Sequence, residues 1–199
     1  PGGRIFETED NCGITELMVR VSARETLRLS PTLIATGIES HGAELQTAVN
    51  RDLFGYILTG TKPEFEKTLD IVASILREPR FDEGQIENEK RQLHSEMAAV
   101  EDNMDEFARQ LFFAGLYGRQ PYGMPSIGTV ESMKKIKQTD VTGWHSRFVR
   151  NARPIIVIVG DTEGSEIVSL LSAKLGLSGT YPAEPPQPGV MNPSGSARE

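Results

Sequence analysis

At 199 residues, with 38% hydrophobic and 25% charged content, the chain has the composition of an ordinary globular protein, long enough for one sizeable core or two small ones. Its formal net charge is -7 and its 21 Lys and Arg residues are scattered, which argues against the basic face that a nucleic-acid partner needs. Cys12 is the single cysteine, so no disulfide forms within the chain, and no apolar run reaches the ~18 residues of a membrane span.

The chain opens on Pro1 rather than Met, so the lack of a visible signal peptide says nothing about a leader. From Gly13 to Thr26 the sequence reads GITELMVRVSARET. Ile14, Leu17, Met18 and Val21 recur at helical spacing, and Asn11 is the expected cap. Glu16 and Arg20 stand four apart and share a face. A second helix is expected from Ser30-Pro31 to Gly42, with His41 suiting its negative end. AELQTAV and DLFGYILTG then read as two strands joined by a turn at Asn50-Arg51.

Pro63 to Leu76 predicts a helix that Glu78-Pro79 ends. Another begins near Asp82, and a third, NMDEFARQLFFAGLYG, follows a break between Glu101 and Asn103. After the Gly- and Pro-rich GRQPYGMPSIGT come TVESMKKI and a helix from Thr139 to about Val149 holding Trp144 and His145. PIIVIVG is a continuous β-branched run, the pattern of a buried strand, and Gly164 to Leu175 is the last helix. The tail from Ser178 is rich in Pro, Gly and Ser and reads as a linker or disordered end. The mixture is α+β, with too few strands for so many helices.

The chemistry-bearing residues are sparse. On the long helix Glu83, Glu87, Glu89 and Glu96 are, by default, a solvated face with Lys90 and Arg91 as counter-charges. The sharper reading is a carboxylate pair, because Glu89 and Glu96 are two turns apart and share a face. His94 stands two residues from Glu96 and does not face it. Gly160-Asp161 lacks the glycine-rich fingerprint of a nucleotide-binding turn, and no His pairs recognisably with Cys12.

Taken in order, four stretches resemble the pitrilysin/insulinase family of zinc metallopeptidases, which includes mitochondrial processing peptidase. They are GGRIFETEDNCGITELMVRVSARET, IESHGAELQTAVNRD, LREPRFDEGQIENEKRQLHSEM, and QPYGMPSIGTVESMKKIKQTDVTGWHSRFV followed by IIVIVGD. The family's inverted motif, His-x-x-Glu-His, holds zinc with two histidines and uses the glutamate as general base; a later glutamate is the third ligand. The resemblance places the first histidine at Glu16, the catalytic glutamate at Val19 and the second histidine at Arg20. Glu96 falls on the later ligand and Glu89 on the glutamate that precedes it.

The resemblance therefore implies a degenerate zinc site with no catalytic residue, two retained carboxylates and no cofactor expected, where the parent family carries zinc. Arg20 cannot bind a metal, and it is expected to stand where the metal's charge would be, paired with Glu96, Glu89 or Glu16; the plainer reading is an exposed bridge to Glu16 alone. The implied fold is one half of a clamshell, an antiparallel sheet covered on one face by helices, with the first strands apparently outside this chain. Residues 1–177 would form that inactive peptidase-like domain and residues 178–199 the linker. The implied function is to scaffold a proteolytic chamber and aid peptide binding beside an active half or subunit, as a homo- or heterodimer. A working hydrolase with remodelled ligands and a purely structural subunit of a larger complex remain open. A bacterial source is expected, cytoplasmic or periplasmic.

Overall fold

The computed structural model describes residues 2–152 and 154–176. The expected linker, 178–199, lies outside them. Helix α1 (Ile14–Ser22) is the centre of the molecule. Leu17, Met18, Val19 and Val21 are wholly buried, and so are Thr15 and Ser22, leaving only the Glu16–Arg20 stripe partly open. A helix apolar on nearly every side must sit inside a core.

Asn11 does not cap it. The Asn11 side chain instead accepts the Thr8 N–H at 2.6 Å, and the buried Glu7 carboxylate accepts the N–H groups of Gly13 (2.9 Å) and Thr15 (3.0 Å). At a buried helix start, orphan donors and the positive dipole end favour a full negative charge over a neutral amide. Burial pushes the Glu7 carboxyl above its usual range, against those hydrogen bonds. Gly13 has φ 86, and a Cβ there would stand 2.7 Å from the Ile127 carbonyl oxygen and 2.8 Å from the Cα of Gly128. Gly128 (φ 87) is equally constrained, since its Cβ would meet the Cys12 carbonyl oxygen at 2.5 Å.

Helix α2 (Pro31–Ser40) starts as its proline predicts, with Ser30 Oγ accepting the Leu33 N–H at 3.4 Å. His41, at its end, pairs with Glu64 at 2.7 Å. Strands β1 (Glu44–Val49) and β2 (Phe54–Thr59) form an antiparallel hairpin with Glu44 opposite Thr59 and Val49 opposite Phe54. They are closed by an Asn50 N–H to Leu53 carbonyl bond of 2.8 Å. A short 3-10 turn at Lys62–Glu64 leads into α3 (Phe65–Arg77).

Asp82 caps α4 (Glu83–Asp102), accepting the Gly84 N–H at 2.9 Å. The expected break narrows to Asn103, which caps α5 (Met104–Tyr117) through the Glu106 N–H at 3.1 Å. Thr129 and Ser132 form a capping box on α6 (Val130–Lys135). Helix α7 (Gln138–His145) runs on as a widened π turn over Ser146–Arg150, and α8 (Gly164–Leu175) ends at Gly176 in a left-handed conformation.

The core gathers α1, the inner faces of α4, α6 and α7, and Phe81 and Phe148. Trp144 Nε1 donates to Thr15 Oγ1 at 3.1 Å and so fastens α7 to α1. The class is α+β, as expected. A second expectation fails: PIIVIVG takes no regular structure and belongs to no ladder among the described residues, with Ile155, Val157 and Val159 78%, 79% and 95% exposed. β-branched residues favour an extended backbone, yet a strand also needs a neighbour's N–H and C=O groups. Among the described residues the only sheet is β1–β2.

Candidate functional site

The site lies where α1 crosses α4. Positions 16, 20 and 24 advance by four, so Glu16, Arg20 and Arg24 follow one line along α1 and off its end. On α4, Glu89 and Glu96 are two turns apart and face that line.

Arg20 is held by both helices. Its Nη1 and Nη2 donate to the two carboxylate oxygens of Glu96 at 2.6 and 2.9 Å, and its Nε donates to Glu16 Oε1 at 2.6 Å. The Arg20 and Glu16 side chains are 22% and 16% exposed. A bidentate fork of this kind is the strong form of a charge-assisted pair. The Glu96 hydrogen bonds, more than the burial that opposes them, raise the Arg20 pKa further above its ordinary value.

Glu89 takes a different partner. It is 2% exposed, and its Oε1 accepts Arg24 Nε at 2.6 Å. Its Oε2 is buried without a hydrogen-bond partner. The solvated-face reading of α4 thus holds for Glu87, which pairs with Lys90 at 2.8 Å, and fails for Glu89. His94 is exposed. Sequence reasoning offered Glu96, Glu89 or Glu16 as partners of Arg20; the structure gives Glu96 and Glu16, while Glu89 pairs with Arg24, which the sequence reading missed. The missed signal was Arg24 itself, one turn beyond Arg20 on the same line.

Val19 is fully buried in the core, away from any proton-transfer chemistry. Cys12 is buried too; burial pushes its thiol up to about 12 and its Sγ rests 3.3 Å from the Pro125 carbonyl oxygen, so it is no nucleophile at neutral pH. The site's donor set does not suit a zinc ion. The space between Glu16 and Glu96 is filled by a guanidinium, which has no lone pair to give. Among the described residues no three His, Cys, Asp or Glu side chains cluster as ligands would.

At this crossing two helices close on each other through a single arginine. The chain belongs to the insulinase family, peptidase family M16, whose model matches residues 1–130. It is 26% identical over 186 residues to cytochrome b-c1 complex subunit 1, mitochondrial, of Caenorhabditis elegans, covering 93% of this chain and 39% of that protein. It is 24% identical over 189 residues to the mitochondrial-processing peptidase subunit beta of Bos taurus, covering 92% and 39%. The fold matches a peptidase M16 inactive domain from Pseudomonas fluorescens with a TM-score of 0.79 at 21% identity, over 94% of this chain and 46% of that one. The chain therefore spans less than half the length of these relatives.

Proposed function

We propose that this chain is the non-catalytic half of a bacterial zinc protease, a wall of the proteolytic chamber that helps to hold unfolded peptide beside an active half or subunit. The observation that carries this reading is Arg20. It supplies a fixed positive charge to Glu96 and Glu16 and leaves the crossing of α1 and α4 locked without a metal. Val19, at the general-base position, has no proton to move. The site binds no cofactor, and its work is structural.

Metal analysis with peptide cleavage tests this. The unaltered protein is expected to carry no stoichiometric zinc and to turn over no peptide, while still binding unfolded peptide. The double variant E16H/R20H, which with Glu96 completes three protein ligands, is expected to take up about one zinc per chain. Stoichiometric zinc with turnover in the unaltered protein would overturn the proposal in favour of a hydrolase with remodelled ligands. A purely structural subunit is the second reading, supported by the similarity to a cytochrome b-c1 complex subunit. Loss of peptide binding with the fold intact would favour it.

A further inference from the structure

Residues of β2 and of 154–159 line an open slot of about 1440 Å³, walled mainly by apolar side chains. A smaller cleft, of about 450 Å³, is different in kind. One side of it is α4, through Gln85, Glu89, Arg91 and Gln92; the other is Arg24, just past the end of α1, with Pro31 at the start of α2. No large apolar side chain lines it, so whatever it holds is held by charge and hydrogen bonds. Its groups are only partly satisfied. Glu89, 2% exposed, gives Oε1 to Arg24 Nε at 2.6 Å, and its Oε2 is buried with no hydrogen-bond partner. A buried carboxylate oxygen without a donor is costly, and a ligand that brings the donor recovers that cost. Arg24 spends only its Nε on Glu89; its side chain is 50% exposed, and its two Nη groups have no partner among the described residues. Arg91 is exposed, donates Nη2 to Asn88, and has no carboxylate partner among the described residues. The cleft thus sets two guanidinium groups against one carboxylate, a local positive excess in a chain of net charge -7.

We propose that this cleft binds the C-terminal end of a peptide. The terminal carboxylate is taken between Arg24 and Arg91, whose planar forks suit it, and the last peptide N–H donates to Glu89 Oε2. Carboxylate and N–H stand on one Cα at a peptide's end. Arg24 offers the matching pair, because one edge of its guanidinium already touches Glu89 and the other is free. Other ligands satisfy one half only. A bare oxyanion leaves Oε2 without a donor and meets the Glu89 charge, whereas a metal ion or an amine meets two guanidinium groups. The interior of a peptide brings the N–H but no anion. The assignment rests on the proposal that this chain holds unfolded peptide, and it names the part of the peptide that is held.

The test is fluorescence anisotropy with a short unstructured peptide, dye-labelled at its N-terminus and prepared both as the free acid and as the C-terminal amide. The unaltered protein is expected to bind the free acid about tenfold more tightly than the amide. Arg91→Gln is an exposed change that leaves the Arg24–Glu89 pair in place. It is expected to weaken the free acid about fivefold and to leave the amide unchanged, while Lys134→Gln, exposed and away from the cleft, changes neither. Equal affinity for acid and amide overturns the assignment and leaves the chamber-wall reading standing. Binding of neither peptide overturns both. A preference for the free acid that survives Arg91→Gln in full also overturns the assignment, because the carboxylate is then held elsewhere on the chain.

Discussion

The crossing of α1 over α4 and the slot between β2 and 154–159 are opposite solutions to exposure. At the crossing, side chains meet across buried helix faces, and the partly open edge is sealed by Glu16, Arg20, Arg24, Glu89 and Glu96. At the slot, β-branched side chains stand in the open with no ladder partner among the described residues. Helices satisfy their own main chain and need only side-chain contacts, so the crossing is complete within these residues. Strands borrow their hydrogen bonds, and β2 has such a neighbour on one edge alone among the described residues.

Four measurements press on that contrast. Leu17→Ala, at a wholly buried position of α1, is expected to cost about 2–5 kcal/mol in urea unfolding, because the packed crossing leaves a cavity that cannot collapse. A loss below about 1 kcal/mol would show the crossing to be as loose as the slot.

Acid sensitivity comes next. His145 is 5% exposed and burial lowers its pKa to about 4 from 6.5. A depressed pKa means that the unfolded chain takes up the proton first. The stability is therefore full above about 6.5 and falls as pH drops toward about 4, by on the order of 3 kcal/mol from this group. His145→Gln should flatten that part of the pH–stability curve, and an unchanged slope would assign it to the carboxylates instead.

Arg20→Ala removes the fork to Glu96 and the Nε bond to Glu16, and leaves the two carboxylates with no cation between them. Because the site is partly open to solvent, the expected loss is about 1–2 kcal/mol, checked by chemical denaturation. Smallest is Val159→Ser, at a 95% exposed position, where the 199-residue chain should change by less than about 0.5 kcal/mol. A clear destabilisation would mean that the slot is already covered within this chain.

The helices were legible because their signals are local. Pro31 at a first turn, Asp82 and Asn103 as caps, and the buried spacing of α1 each sit within a few residues of the element they define. The last helix falls on its expected bounds, Gly164 to Leu175. PIIVIVG misled because composition encodes an extended backbone and not its neighbour. Asn11 misled because the cap it resembles was supplied by Glu7, whose carboxylate folds back from outside the helix. The family register pointed to Arg20 with Glu96, Glu89 or Glu16, of which Glu89 turned out to belong to Arg24, passed over because the motif ends at position 20. Spacing alone put Glu89 and Glu96 on one face and could not say that each would choose its own arginine.

The paired glycines at 13 and 128 bear on how such a molecule drifts. A Cβ at Gly13 meets the Gly128 Cα, and a Cβ at Gly128 meets the Cys12 carbonyl oxygen, so each glycine is held by the segment that carries the other. Glu16 and Arg20 carry no such backbone restraint, for they sit on the partly open stripe of α1. Substitution at the Gly13–Gly128 contact is therefore felt by the backbone itself, whereas substitution at 16 or 20 is felt by side chains alone.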